Sequence, residues 1–268
     1  MFDTLFSLGA SLLYLLTGFL LYRRLMQGVR ATERARLVAL TVAVGGVLLH
    51  ALAIHHHLYG PHGIDIGLFG LLSLSTWLLA LMLLLATLTR PLENLGILVF
   101  PLAAVALLLK LLLPESGHWT AGLSAPLQLH ILVSILGYSV LTMAAAQALL
   151  MHIQESHLRN RHPGGFIRAL PPLQTMECLL FRMIGLGFAL LTVGLLSGAL
   201  FVDNLFAQKL VHKSVLTIAA WLIFAGLLFG HWRYGWRGRT AIRWTLSGFV
   251  LLLVGFVGSK LILEWVLR

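Results

Sequence analysis

The stretch GLFGLLSLSTWLLALMLLLATLT, residues 67–89, decides the fold because it contains no charged side chain. A helix that crosses the hydrocarbon core of a bilayer needs roughly 20 mostly apolar residues, and it satisfies its own backbone hydrogen bonds. The stretch meets the length and the composition that such a helix requires. It therefore predicts a transmembrane helix.

Further runs of the same kind lie on both sides of this stretch. They are predicted at 5–22, 37–58, 95–113, 127–152, 177–201, 213–232 and 241–263. Hydrophobic residues make up 59% of the chain and charged residues only 10%, whereas about a quarter of a soluble domain is charged. The sequence thus predicts an all-α membrane protein, a polytopic bundle of about eight transmembrane helices forming a single domain over residues 1–268.

The arginines are concentrated in alternate loops of this pattern. The loops near 58–66, 114–126 and 202–212 contain none. Short cytoplasmic loops are enriched in Lys and Arg, so both termini are predicted to face outward. The net charge of +10 is explained by the same loops in contact with anionic membrane lipid, and nucleic-acid binding is not expected.

The longest polar stretch runs from Ile153 to Thr175. It contains the helix-breaking residues Pro163-Gly164-Gly165 and Pro171-Pro172. We predict a cytoplasmic loop between the fifth and sixth helices here.

The twelve histidines are the residues most able to carry chemistry, because ionisable groups at membrane depth are costly and are candidates for function. His50 is predicted to lie deep in the second helix, after Gly45-Gly46, which let another helix or a flat ligand approach closely. It is a candidate cofactor ligand. The alternative is a buried histidine that is hydrogen-bonded to a neighbouring helix.

His130 is predicted in the first turn of the fifth helix, on one face with Ser134 and Tyr138. A flat macrocycle could lie on this surface with the imidazole on its metal. The alternative is an ordinary interfacial histidine.

His212 begins the seventh helix between Lys209 and Lys213. An imidazole flanked by cations suits a ligand with a metal centre and carboxylate arms, for example haem with its propionates. The haem iron would be bound by His130 and His212, and the lysines would pair with the propionates. Interfacial histidines and snorkelling lysines are the alternative.

His231 ends the seventh helix beside an arginine-rich loop and is a further candidate cofactor residue, on the cytoplasmic side. It is predicted to lie too far from His130 and His212 to share one metal with them. No Walker loop, GxGxxG, GxSxG or HExxH motif occurs, so the chain is not expected to be an enzyme.

Several segments resemble the cytochrome c assembly proteins, the haem-handling CcsA/CcmC/CcmF superfamily. Residues 181–198 resemble the helix before the signature loop of that family, and residues 212–231 resemble the helix after it. His130 matches the family's histidine-led helix. The chain is most similar to the eight-helix YpjD/HemX-like subgroup of inner-membrane proteins, with an assembly-like core at about 67–265.

The resemblance implies a multi-pass protein of the bacterial inner membrane that binds or handles haem, accessory to cytochrome c assembly or haem biosynthesis. A protein of one of those processes would be its partner. The assembly proteins carry a tryptophan-rich segment in the outer loop before the seventh helix, whereas Val202–Val211 contains no tryptophan. The role implied is therefore that of a chaperone or accessory factor.

Two other classes of function stay open. The chain could be a permease subunit or metal-ion carrier that uses His55, His56 and His57 as an outer entry site. It could also be a membrane scaffold without a ligand, in which every histidine is interfacial.

Overall fold

The computed structural model describes residues 2–27, 32–58, 64–65, 68–90, 92–113, 119–120, 124–159, 170–201 and 211–258. Within these residues, eight helices are long and apolar enough to cross a membrane. They are α1 (Phe2–Gln27), α2 (Glu33–Leu58), α3 (Leu68–Thr87), α4 (Gly96–Leu112), α5 (Ala125–Arg159), α6 (Leu173–Phe201), α7 (Val211–Tyr234) and α8 (Gly238–Leu253). The predicted all-α polytopic membrane fold is confirmed.

Short elements accompany these helices. A 3₁₀ turn, Glu93–Leu95, precedes α4, and a π-helical turn, Val254–Gly258, follows α8. Two strands of two residues each, β1 (Ile64–Asp65) and β2 (Trp119–Thr120), pair in antiparallel fashion. The sequence predicted only loops there, because two residues are too few to give a periodic pattern. The pairing brings residues of the α2–α3 and α4–α5 connections together.

Helix α5 is longer than predicted, and the predicted loop over Ile153–Thr175 was wrong at both ends. The helix continues to Arg159, and α6 already begins at Leu173. Residues 153–159 contain neither Pro nor Gly, so nothing in them stops a helix. At 1.5 Å per residue α5 is about 52 Å long, well beyond the roughly 30 Å of a hydrocarbon core.

The chain divides into two compact units. The first unit comprises Met1–Gly122 with Gln154–Pro172, and the second comprises Leu123–Ile153 with Leu173–Arg268. That residues 1–268 act as one domain stays a prediction.

In the first unit, α1 packs against both α2 and α4. A Cβ added to Gly46 of α2 would lie 3.0 Å from the Tyr14 ring, and one added to Gly18 would lie 2.9 Å from the Pro101 ring. Lipid tails are as apolar as leucine, so membrane helices associate through close packing rather than through the hydrophobic effect. The glycines allow that close approach.

A cluster of charges around the buried Glu93 carboxylate lies at one end of the first unit. Oε1 of Glu93 accepts a hydrogen bond from Arg24 Nη1 at 3.2 Å and lies 3.3 Å from Arg36 Nε. Nη2 of Arg36 also donates to the Thr87 carbonyl at the end of α3, at 3.1 Å. The cluster thereby joins the ends of α1, α2 and α3 to the turn before α4.

Candidate functional site

Helices α5 and α6 of the second unit approach each other closely along one face. A Cβ added to Gly187 of α6 would lie 2.6 Å from Leu141 of α5, and one added to Gly137 of α5 would lie 3.3 Å from Leu190. Positions 130, 134, 137 and 141 follow the three-and-four spacing of a single helix face. The predicted face of α5 that begins with His130 therefore packs on α6.

His130 is half-buried on this face, and Ser197 of α6 holds its ring. Nδ1 of His130 lies 2.9 Å from Ser197 Oγ, and the same Oγ donates to the Gly194 carbonyl at 3.0 Å. A serine hydroxyl has one proton, so Ser197 can only accept from the ring while it makes the second bond. This pairing favours the tautomer with the proton on Nδ1 and the lone pair on Nε2, the nitrogen that could then coordinate a metal. The backbone of Gly194 also lies within hydrogen-bonding reach of the His130 ring.

Gly198 gives the imidazole its space. A Cβ added at this position would lie 3.1 Å from Cε1 of His130, so a side chain would push the ring aside. Sequence reasoning did not single out Ser197 or Gly198, although both lie in the segment that carries the family resemblance. The small residues at 194, 197 and 198 are the signal that could have found them, because they mark a close helix contact.

Tyr138 lies two turns further along the same face of α5. Its hydroxyl is buried, and Thr217 of α7 lies beside it. The Thr217 hydroxyl donates to the Lys213 carbonyl at 2.8 Å, and its lone pairs can accept from Tyr138.

Lys213 and Tyr138 both lie against the ring of Phe256. The Lys213 ammonium lies 5.7 Å from the centroid of the Phe256 ring, and the Tyr138 ring centroid lies 5.3 Å from it. Phe256, in the turn after α8, thus lies against both the phenol of α5 and the ammonium group of α7.

The other half of the predicted haem site lies outside the described side chains. His212 is in the first turn of α7, but its side chain is not described, and Lys209 lies in the undescribed residues 202–210. That His130 and His212 bind one metal stays a prediction.

The described residues contain no group of three or more His, Cys, Asp or Glu that could hold a bare metal ion. A haem iron differs from such an ion, because its macrocycle already supplies four nitrogens and the protein adds one or two axial ligands. A single imidazole with a free ring nitrogen could therefore bind a haem iron, although it could not hold a bare metal ion.

His231 lies at the other end of α7. Its Nδ1 donates to the Trp236 carbonyl at 2.9 Å, and its ring stacks on Phe181 with centroids 3.6 Å apart. Gly235, at φ +68°, adopts the left-handed conformation that ends α7. Positions 212 and 231 are about 28 Å apart along the helix, so they cannot share one metal.

His50 is fully buried in the first unit, with both ring nitrogens engaged. Nδ1 lies 3.2 Å from the Tyr14 hydroxyl oxygen of α1, and Nε2 lies 3.0 Å from Ser73 Oγ of α3. These contacts favour the alternative named above, a histidine bonded to neighbouring helices. Sequence reasoning missed both partners, because periodicity does not tell which helices meet.

The outer histidine cluster gives no test of the metal-carrier hypothesis. His55 is exposed near the end of α2, and the side chains of His56 and His57 lie outside the described residues.

Comparison with known proteins gives a match between residues 6–267 and the family model for "Cytochrome C assembly protein". Inner membrane protein YpjD of Escherichia coli K12 is 30% identical over 230 residues, 85% of this chain and 87% of that protein. Cytochrome c biogenesis protein CcsA of Gloeothece citriformis is 31% identical over 102 residues, 37% of this chain and 31% of that protein. No solved structure gives a significant match.

Proposed function

Because the chain belongs to the cytochrome c assembly protein family, we propose that it is a haem-handling membrane protein that assists cytochrome c assembly. The observation that carries the proposal is the His130–Ser197 hydrogen bond, which leaves the Nε2 lone pair of His130 available to an iron centre. The match to an inner membrane protein supports a place in the bacterial inner membrane, as do the eight helices of the described residues that are long and apolar enough to cross a membrane.

The described side chains fit the chemistry of haem. An axial ligand requires a neutral imidazole nitrogen, and His130 offers one. Propionates require cations or hydrogen-bond donors, and Lys213 would supply an ammonium group. Haem, when bound, would supply an iron that accepts imidazole nitrogens from the protein.

Each residue of the proposed site has a separate task. His130 would hold the iron, with His212 as the predicted second ligand. Lys213 and the predicted Lys209 would neutralise the propionates. Nδ1–H of His231 donates to the Trp236 carbonyl. His231 would belong to a separate site at the opposite end of α7.

We leave His50 out of the proposed ligand set, since hydrogen bonds already engage its two ring nitrogens. The protein would act as a non-enzymatic accessory factor, and its partner would be a cytochrome c maturation protein. An influence on haem biosynthesis, which the HemX-like resemblance implied, stays a second form of the same proposal.

The test compares two histidines of α5. The full chain is purified in mild detergent from haem-supplied cells, and absorption spectra are recorded in the oxidised and reduced states. His130→Ala is expected to lose most of the Soret band. His152→Ala removes an exposed histidine of the same helix and is expected to retain it.

The two outcomes that contradict the proposal are different. Wild-type protein without a Soret band would overturn haem handling itself. A Soret band of equal intensity in His130→Ala would overturn only the assignment of the ligand.

A further inference from the structure

We propose that Ser197 is a positioning residue that fixes the tautomer of His130 and so presents Nε2 as the metal-binding nitrogen. The use of that nitrogen rests on the proposed function. The tautomer is a property of the protein without haem, so it can be tested separately.

The direction of the hydrogen bonds supplies the first argument. A backbone carbonyl can only accept, so the 3.0 Å bond between Ser197 Oγ and the Gly194 carbonyl uses the serine proton. The remaining lone pairs of Oγ then accept from Nδ1–H at 2.9 Å. The opposite tautomer would require Ser197 to turn its proton away from the carbonyl and towards the ring.

The helix geometry supplies the second argument. Gly194 and Ser197 lie on the same helix, so their bond forms whenever α6 forms and needs no contribution from α5. Gly198 and Gly194 bring α5 close, since added Cβ atoms would lie 3.1 Å from the His130 ring and 3.3 Å from Ser134 Oγ. The acceptor for Nδ1–H is therefore already oriented when His130 packs against it.

The surroundings supply the third argument. A partner that holds the second ring nitrogen of a ligating histidine fixes the ring orientation and raises the basicity of the first nitrogen. Loss of such a partner typically lowers metal affinity by about 10–100-fold. We expect a loss in this range for haem when the Ser197 hydroxyl is removed.

The first experiment uses the haem-free protein. The full chain, with ¹⁵N-labelled histidine, is studied by NMR in detergent, and the His130 signals are identified by their loss in His130→Ala. Wild-type protein and Ser197→Thr are expected to show His130 with its proton on Nδ1. Ser197→Ala is expected to populate the Nε2–H tautomer. Retention of the Nδ1 proton in this variant would show that the Gly194 carbonyl, which also lies beside the ring, is a sufficient acceptor, and it would overturn the role of Ser197.

Ser11→Ala is the matched control. Ser11 of α1 is buried and donates to a carbonyl of its own helix, that of Ser7 at 2.8 Å. Its removal is expected to leave the His130 signals unchanged. A wild-type His130 protonated on Nε2 would overturn the inference, even if no Ser197 variant folds.

The second experiment measures the haem dissociation constant of the same proteins. Ser197→Ala is expected to bind haem about 10–100-fold more weakly, and Ser197→Thr is expected to bind it as the wild type does. Unchanged affinity in Ser197→Ala, together with an altered tautomer, would overturn the positioning role. Wild-type protein that binds no haem would overturn the proposed function and leave the tautomer result standing.

Discussion

Nη1 of Arg24 lies 3.2 Å from Oε1 of Glu93, which joins the last turns of α1 to the turn before α4. The two side chains are only 20% and 10% exposed, so water does little to screen their charges. Removing one partner from a buried ion pair leaves an uncompensated charge, and this costs more than the pair itself contributes.

We predict that Glu93→Gln lowers the free energy of unfolding by roughly 3 kcal/mol, because it leaves Arg24 and Arg36 without their shared carboxylate. Denaturant unfolding of the purified protein in detergent would measure the change. Glu33→Gln is the control, since Glu33 is 73% exposed and its pair with Arg36 is expected to contribute under about 1 kcal/mol. Equal losses of unfolding free energy in the two variants would contradict the prediction that Glu93 joins the helix ends more strongly than the exposed Glu33 does.

Gly187→Ala is predicted to destabilise the second unit, because the new Cβ would lie 2.6 Å from Leu141 and would force α5 and α6 apart. We expect a cost of about 1–3 kcal/mol, as in other overpacked cores. Gly185→Ala, two residues earlier on α6, has no atom within 4 Å of the new Cβ. That control should be neutral or slightly stabilising because alanine favours a helix over glycine. Similar melting temperatures for the two variants would argue against this α5–α6 contact.

Trp221 and Thr192 are predicted to be energetically coupled, because Trp221 Nε1 donates to Thr192 Oγ1 at 2.8 Å between α7 and α6. Hydrogen bonds between membrane helices average about 0.6 kcal/mol in double-mutant cycles. A cycle with Trp221→Phe and Thr192→Val would measure the coupling. Strictly additive effects would show that the bond contributes nothing.

His50→Ala is predicted to reduce stability and leave haem content per folded protein unchanged. The variant leaves the Tyr14 and Ser73 hydroxyls without their shared partner and opens a cavity, at an expected cost of about 2–4 kcal/mol. Thermal unfolding and the Soret absorbance of the folded fraction would be recorded together. His55→Ala, at an exposed site, is the control for stability. Loss of haem from folded His50→Ala would restore His50 to the ligand set.

Cys178 offers a test of the predicted orientation, because it is the only cysteine of the chain and is exposed near the start of α6. If both termini face outward, a membrane-impermeant maleimide should label it in inverted vesicles and not in intact spheroplasts. Ser124→Cys in a Cys178→Ala background places a thiol before α5, on the opposite side, and should label in spheroplasts. The reverse pattern would invert the topology.

The sequence was sufficient to predict the helices, because a bilayer requires long apolar runs and such runs are visible one at a time. It was insufficient at the end of α5, where residues 153–159 are polar and hydropathy no longer marks the helix. Only the absence of Pro and Gly before position 163 indicated that the helix continues.

The candidate site was predictable residue by residue but not as a set of contacts. His130 stood out because ionisable groups are rare at membrane depth. Ser197, its partner from α6, is one of many small polar residues, and no periodicity links it to a position 67 residues earlier. The same limit applied to Tyr14 and Ser73. They contact His50 only because α1 and α3 pack around α2.

The arrangement around His50 also bears on how the chain enters the membrane during synthesis. An imidazole that entered the lipid without a hydrogen-bond partner would have a high free-energy cost. Tyr14, a partner of His50, belongs to α1, and the ribosome completes α1 before α2. A hairpin of α1 and α2 can therefore leave the translocon with its polar groups already paired. Ser73 of α3 then supplies the second partner as the next segment emerges.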